Sequence, residues 1–241
     1  MRARLLATSI AVAIGLGTTL PAGAQSSGDQ EAFCESVTDI SLLFNTIEEE
    51  PSKKQQRQLG RLTDRLESTA PTELSAPVAT AVEAVRTGAF DDPAVFEAIS
   101  TVDQWVVDNC GYPVHPVTAI EYAFEGMPAS VDSGINLFEF DNQGAEIHEI
   151  VIVRIKGDET AEELLELPDK QVEKKLQFIA ATDAAQGETS VVYADLKKPG
   201  RYAAVCFLPV GAISEEAAEE AEGPPHAVEG MITEFEVERG A

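Results

Sequence analysis

The hydrophobic period of this chain changes once, near residue 112, and that change limits the folds open to it. From Glu31 to Cys110 apolar residues recur every three or four positions. Phe33, Val37, Ile40, Phe44 and Ile47 share one helical face, and Leu59, Leu62 and Leu66 continue the pattern after Pro51-Ser52. Leu74, Val78, Val82 and Val85 predict a third helix, with Pro77 marking either a kink or its true start. Asp92 as a cap and Pro93 at the first helical position predict a fourth, which buries Val95, Ile99, Val102 and Val106. Gly88 and Gly111 stand where the third and fourth helices should stop.

Four helices with short connections predict an antiparallel up-down bundle over residues 29–111. In that topology the start of the first helix and the end of the fourth meet at one end, and Cys34 and Cys110 occupy those places. A disulfide between them follows, and it leaves Cys206 as the odd thiol.

Gly111-Tyr112-Pro113-Val114-His115-Pro116 reads as a linker, centred on residues 112–116, because its two prolines disfavour helix. His115 has no candidate ligand near it in sequence and reads as an ordinary linker residue. From Val117 onward the period is two. Residues 117–124, 135–140, 147–155, 190–196, 201–207 and 231–237 read as strands, and 160–178 as a helical excursion between them. Short strands separated by turn residues predict a β-sandwich over residues 117–239. The expected fold class is therefore α + β, a helical domain followed by a sandwich.

The first 24 residues have a different character. Met1-Arg2-Ala3-Arg4 is basic, Leu5 to Leu20 is mostly apolar, and Pro21-Ala22-Gly23-Ala24 offers a small-residue cleavage site. This reads as a secretory signal peptide, giving an exported protein, periplasmic or extracellular. No other stretch is long and apolar enough to span a bilayer. The formal net charge is −25, and the leader holds two of the 17 basic residues, so the remainder is more acidic still. Such a surface repels nucleic acid and anionic lipid, and it would steer a basic partner; solubility in a salty or alkaline habitat explains it equally well.

The chain has three histidines, three cysteines and three methionines, so chemistry built on soft ligands draws on a short list. Met231 opens a strand in which Phe235 and Val237 share its face, while Glu234, Glu236 and Glu238 face water. Cys206 shares a face with Tyr202 and Ala204 near the end of its strand, and His148 one with Ile150 and Ile152 at the start of its own. If these strands neighbour one another, His148, Cys206, His226 and Met231 converge on one rim. Two imidazoles, a thiolate and a thioether form the donor set of a blue-copper electron-transfer site.

Three segments carry a family resemblance. Asn142-Gln143-Gly144-Ala145-Glu146-Ile147-His148 resembles the Asn-x-Gly…His element of the cupredoxins, the blue copper proteins. Gly200-Arg201-Tyr202-Ala203-Ala204-Val205-Cys206 resembles their Gly-x-Tyr…Cys strand, and Pro225-His226 with Gly230-Met231 their Pro-His…Gly-Met ending. The resemblance covers about residues 117–239. It implies a Greek-key sandwich binding one type 1 copper ion, with His148, Cys206 and His226 as equatorial ligands and Met231 as the weak axial one. The helical half has no counterpart in the simple members.

One departure stands out. Nineteen residues, Phe207 to Pro225, separate the cysteine from the second histidine, where simple members have a few. The insert contains Ser214-Glu215-Glu216-Ala217-Ala218-Glu219-Glu220-Ala221-Glu222, which favours a short acidic helix. Lengthening the loop this far costs roughly 1.6 kcal/mol in closure entropy, against on the order of 10 kcal/mol from a metal–ligand set.

The leading expectation is a one-electron carrier that makes and breaks no covalent bonds, so not an enzyme. Its partner would be a redox protein or copper donor, of unknown identity and with a basic surface if charge guides it. Capture or delivery of copper outside the cytoplasm, and a metal-free binding module on the same fold, are the alternatives. Three histidines are too few for the additional copper cluster of a multicopper oxidase, and His148-Glu149 lacks a second histidine at zinc-protease spacing.

Overall fold

The computed structural model describes residues 27–47, 50–90 and 92–240. The expected signal peptide, 1–24, lies outside them. Four helices come first: α1 (Ser27–Phe44), α2 (Lys53–Thr69), α3 (Ser75–Thr87) and α4 (Pro93–Asn109). Their ends follow from local chemistry. Ser52 caps α2 in a reciprocal box with Gln55, and Asp92 accepts the Ala94 N–H ahead of Pro93. Gly88 closes α3 in the left-handed region, at φ 75°, where a side chain would be strained. Cys34 and Cys110 are joined, tying α1 to the residue that ends α4.

Nine strands follow: β1 (Val114–Ile120), β2 (Ala123–Glu125), β3 (Ser130–Asp132), β4 (Gly134–Asn142), β5 (His148–Ile155), β6 (Leu176–Ala184), β7 (Thr189–Leu196), β8 (Gly200–Val205) and β9 (Ile232–Glu238). They form two sheets, in the orders β2-β1-β4-β7 and β3-β9-β8-β5-β6. The β1–β4 and β3–β9 pairs are parallel, and the others antiparallel. The sheets pack face to face over Phe138, Phe140, Ile150, Ile152, Tyr202 and Phe235.

Both sheets are also covered outside, which explains strands that do not alternate. In β4 and β7, Leu137 and Tyr193 turn outward into the apolar core of the helices, against Phe33, Val37 and Val106. The helices therefore share their core with the sheet beneath them. In β5, Val151, Val153 and Ile155 turn outward beneath α5 (Ala161–Leu165), where Leu164 is fully buried. A strand covered on both faces reads as the continuous run Ile150-Val151-Ile152-Val153.

Three expectations need correction. The segment 112–116 is not all linker: β1 begins at Val114, and Val114, His115 and Pro116 pair with Leu137, Phe138 and Glu139. Pro116 is tolerated because β2 pairs only with Thr118–Ile120, leaving one side of this stretch without a strand partner. Residues 117–124 are not one strand but the β1–β2 hairpin, turning at Glu121-Tyr122. The excursion 160–178 ends early: α6 (Asp169–Lys175) gives way to β6 at Leu176, whose Gln177 and Phe178 are exposed and so show no strand period.

Candidate metal centre

His148, Cys206 and His226 come together at one rim of the sandwich, all three without solvent exposure. Their donor atoms lie within 4.8 Å of one another. The Nδ1 atoms of the two imidazoles are 3.1 Å apart, and Cys206 Sγ is 3.3 Å from His226 Nδ1.

Each ligand candidate is set by a different element. His148 is the first residue of β5, and the loop before it is shaped by Asn142. The Asn142 side-chain Oδ1 accepts the Gly144 N–H, and its Nδ2 donates to the backbone oxygens of Glu146 and Ala184. Gly144 has a steric reason: a Cβ there would stand 2.6 Å from both His148 Nε2 and Glu121 Oε1. Cys206 immediately follows β8, and its sulfur accepts the Glu149 N–H at 3.5 Å. His226 opens a short 3₁₀ turn after Pro225, and its N–H donates to the Leu208 oxygen.

Met231 is fully buried and joined to both neighbours through its backbone. Its N–H donates to the His226 oxygen at 3.0 Å, and its oxygen accepts the Cys206 N–H at 3.1 Å. It immediately precedes β9, which begins one residue later than the strand pattern predicts. His115 lies elsewhere, its Nε2 2.9 Å from Asn136 Oδ1.

The nineteen-residue insert is pinched shut at its base. Pro209 bridges to Pro225, Val210 donates to the Pro224 oxygen, and His226 to that of Leu208. The chain thus returns to the site immediately after leaving it, and the acidic segment, with α7 (Glu215–Glu220), projects beyond this neck. Gly223 permits the closure: a Cβ there would meet the Val210 oxygen at 2.4 Å. The separation in sequence is long, but the structural path from Cys206 to His226 is short.

Two carboxylates stand behind the imidazoles, and sequence reasoning passed over both. Glu146 Oε2 is 3.0 Å from His226 Nε2 and accepts the Gly211 N–H, while its Oε1 accepts the Tyr122 hydroxyl. Glu121 Oε1 is 3.6 Å from His148 Nε2 and accepts the N–H groups of Ala145 and Glu146. The signal for Glu146 was its place inside the Asn142–His148 segment; Glu121 and Tyr122 carry no motif.

These surroundings tune the titrating groups. Burial of Glu146 opposes ionisation, but the Gly211 N–H, the Tyr122 hydroxyl and His226 outweigh it and hold the carboxyl below its usual range. Glu121 is held low in the same way, its burial overcome by the N–H groups of Glu146 and Ala145. Burial, then the neighbouring His226, pushes His148 down, so its neutral form is favoured. Burial pushes the Cys206 thiol up to about 12 against the N–H groups of Glu149 and Leu208. An ion bound there must displace that proton.

The donor set suits a soft-to-borderline metal: two imidazole nitrogens and a sulfur, with no carboxylate grouped with them among the described residues.

No family model and no curated protein sequence matches the chain. Among solved structures it is similar to a dithionite-reduced auracyanin from the photosynthetic bacterium Roseiflexus castenholzii, at 20% identity, covering 52% of this chain and 96% of that one, with a TM-score of 0.33. It is also similar to auracyanin A, a "blue" copper protein of Chloroflexus aurantiacus, at 23% identity, 40% and 87% coverage and a TM-score of 0.29. A multi-copper oxidase of Pediococcus acidilactici matches at 13% identity, 54% and 27% coverage and a TM-score of 0.32.

Proposed function

We propose that this is an exported, mononuclear copper protein of the cupredoxin type, transferring single electrons. His148 Nδ1, His226 Nδ1 and Cys206 Sγ would hold the ion, with the Met231 thioether as the weak axial donor. The observation that carries this reading is the buried cluster itself: three donor atoms within 4.8 Å, facing one another in a closed rim. Copper held there would supply one-electron exchange between its Cu(I) and Cu(II) states. The protein's part is to exclude water and limit movement of the ligands between the two states. The chain itself makes and breaks no covalent bonds. We read the two packed sheets, from Val114 onward, as a Greek-key sandwich and α1–α4 as an antiparallel bundle seated on it.

Among the described residues no helix is long and apolar enough to cross a membrane. The disulfide and the basic, apolar leader support a location outside the cytoplasm. The acidic surface favours a redox partner with basic charge.

A second reading, extracytoplasmic copper capture, has its own observation. Neither imidazole presents an edge to solvent, whereas a carrier gains from an exposed ligand edge.

The deciding experiment takes purified residues 25–241, adds one equivalent of Cu(II) and records the visible spectrum. An intense thiolate-to-copper band that Cys206→Ser removes supports type 1 electron transfer. Tight Cu(I) binding without that band supports capture. No stoichiometric uptake of either state overturns both.

A further inference from the structure

We infer that Glu146 is the positioning residue of this centre: it holds the Nε2 proton of His226 and so turns the bare Nδ1 lone pair toward Cys206 and His148. The assignment of the proton stands without copper; its effect on affinity rests on the copper reading above.

Hydrogen-bond polarity leads to this directly. Glu146 Oε2 receives the Gly211 N–H at 2.6 Å, and Oε1 receives the Tyr122 hydroxyl at 3.0 Å. Hydrogen bonds accepted at both oxygens favour the carboxylate form, and against a carboxylate the ring nitrogen 3.0 Å from Oε2 is the donor. Neutral imidazole carries one N–H proton. Placed on Nε2, it leaves Nδ1 free for a metal, and that nitrogen lies 3.3 Å from the sulfur and 3.1 Å from His148 Nδ1.

Glu146 is itself braced. Asn142 donates to its backbone oxygen, and its own N–H donates to Glu121. The Tyr122 ring lies against His226, with centroids 4.7 Å apart.

His148 is held differently. Its Nε2 is buried without a hydrogen-bond partner among the described residues, and Glu121 at 3.6 Å is beyond hydrogen-bond reach. One imidazole is therefore anchored and the other is not. An anionic acceptor on the outer nitrogen raises the basicity of the inner one and favours the more highly charged metal state.

The test compares wild type, Glu146→Ala and Glu146→Gln. In metal-free, ¹⁵N-labelled protein, long-range ¹H–¹⁵N correlation assigns the tautomer of His226. Wild type should show Nε2–H, and Glu146→Ala a mixture or Nδ1–H. Glu146→Gln, which keeps an accepting oxygen but no charge, should restore the tautomer. With copper, Glu146→Ala should lose about 10–100-fold in Cu(II) affinity and less in Cu(I) affinity, so its reduction potential rises. Should Glu146→Ala unfold, Tyr122→Phe, which removes one brace on Glu146, should move the same readouts in the same direction. An unchanged tautomer in Glu146→Ala overturns the assignment. An unchanged ratio of Cu(II) to Cu(I) affinity overturns its metal half. Failure of wild type to take up copper, with the tautomer shift intact, overturns the copper reading while the assignment of the proton stands.

Discussion

The Nδ1 atoms of His148 and His226 face each other at 3.1 Å inside the protein, although 77 residues separate them in the chain, 149 to 225. Their rings meet nearly edge to face, with centroids 4.9 Å apart. Two nitrogens brought this close in a closed rim repel unless a proton or a cation lies between them, so an ion should stabilise the fold. At a free concentration one hundred times the dissociation constant, Cu(II) should add about 2.7 kcal/mol to unfolding stability. Thermal melts with and without copper measure this, and His226→Ala should lose most of the gain.

Gly144 should be intolerant of a side chain. Its Cβ would stand 2.6 Å from His148 Nε2, a ring held by packing on every side. Gly144→Ala should therefore destabilise the protein by about 1–3 kcal/mol and displace His148. Denaturant unfolding reads the first effect, and a weakened or shifted copper absorption band the second. Wild-type stability together with a wild-type band would contradict the placement of this loop.

The insert should be dispensable for metal binding. Because Val210 and Pro224 close the neck by a hydrogen bond at 2.9 Å, the acidic segment beyond it does not set the Cys206–His226 geometry. Replacing Ser214–Glu222 with a short Gly-Ser turn removes five glutamates and leaves Gly211 and Ala212 in place against the site. Copper affinity should change by less than about tenfold, since the closure entropy saved is only about 0.5 kcal/mol. A competition titration against a chelator decides it.

Cysteine removal should separate stability from the metal centre. Cys34 and Cys110 enclose a loop with a sequence separation of 76. Replacing both with serine should cost about 4 kcal/mol, mostly in the helices. The copper band should persist, because Cys206 is the cysteine at the site.

The legible parts of the fold were those where one face meets one environment. The stripe Phe33-Val37-Ile40, the Asp92-Pro93 cap and the face shared by Met231, Phe235 and Val237 behave as their spacing predicts. The three ligand positions were legible because few residues supply soft donors. What escaped notice depends on tertiary cover. The exposed edge strand β6 lacks a buried face along Gln177-Phe178, so a helix-forming run masked its start. The neck between residues 208–210 and 224–226 is backbone pairing, which leaves no side-chain signature. Glu146 and Glu121 were invisible for another reason. In a chain with 42 acidic residues, a glutamate that approaches a ligand looks like any other until distances are known.

Asp103 should make the docking of helices on the sheet sensitive to pH. Its Oδ1 accepts the Tyr193 hydroxyl at 2.7 Å, linking α4 to β7. Burial pushes its carboxyl up from 3.8 to about 7, with the Tyr193 hydrogen bond opposing. The folded state thus holds this proton more tightly than the unfolded chain does. The stabilisation is complete below about pH 4 and is lost as pH rises through about 7. The amount is at most on the order of 4 kcal/mol. Asp103→Asn keeps an acceptor for Tyr193 and cannot ionise. Urea unfolding at pH 5 and pH 8 should show the variant gaining stability relative to wild type at the higher pH. An equal difference at both pH values would mean that Asp103 titrates alike in the folded and unfolded chains.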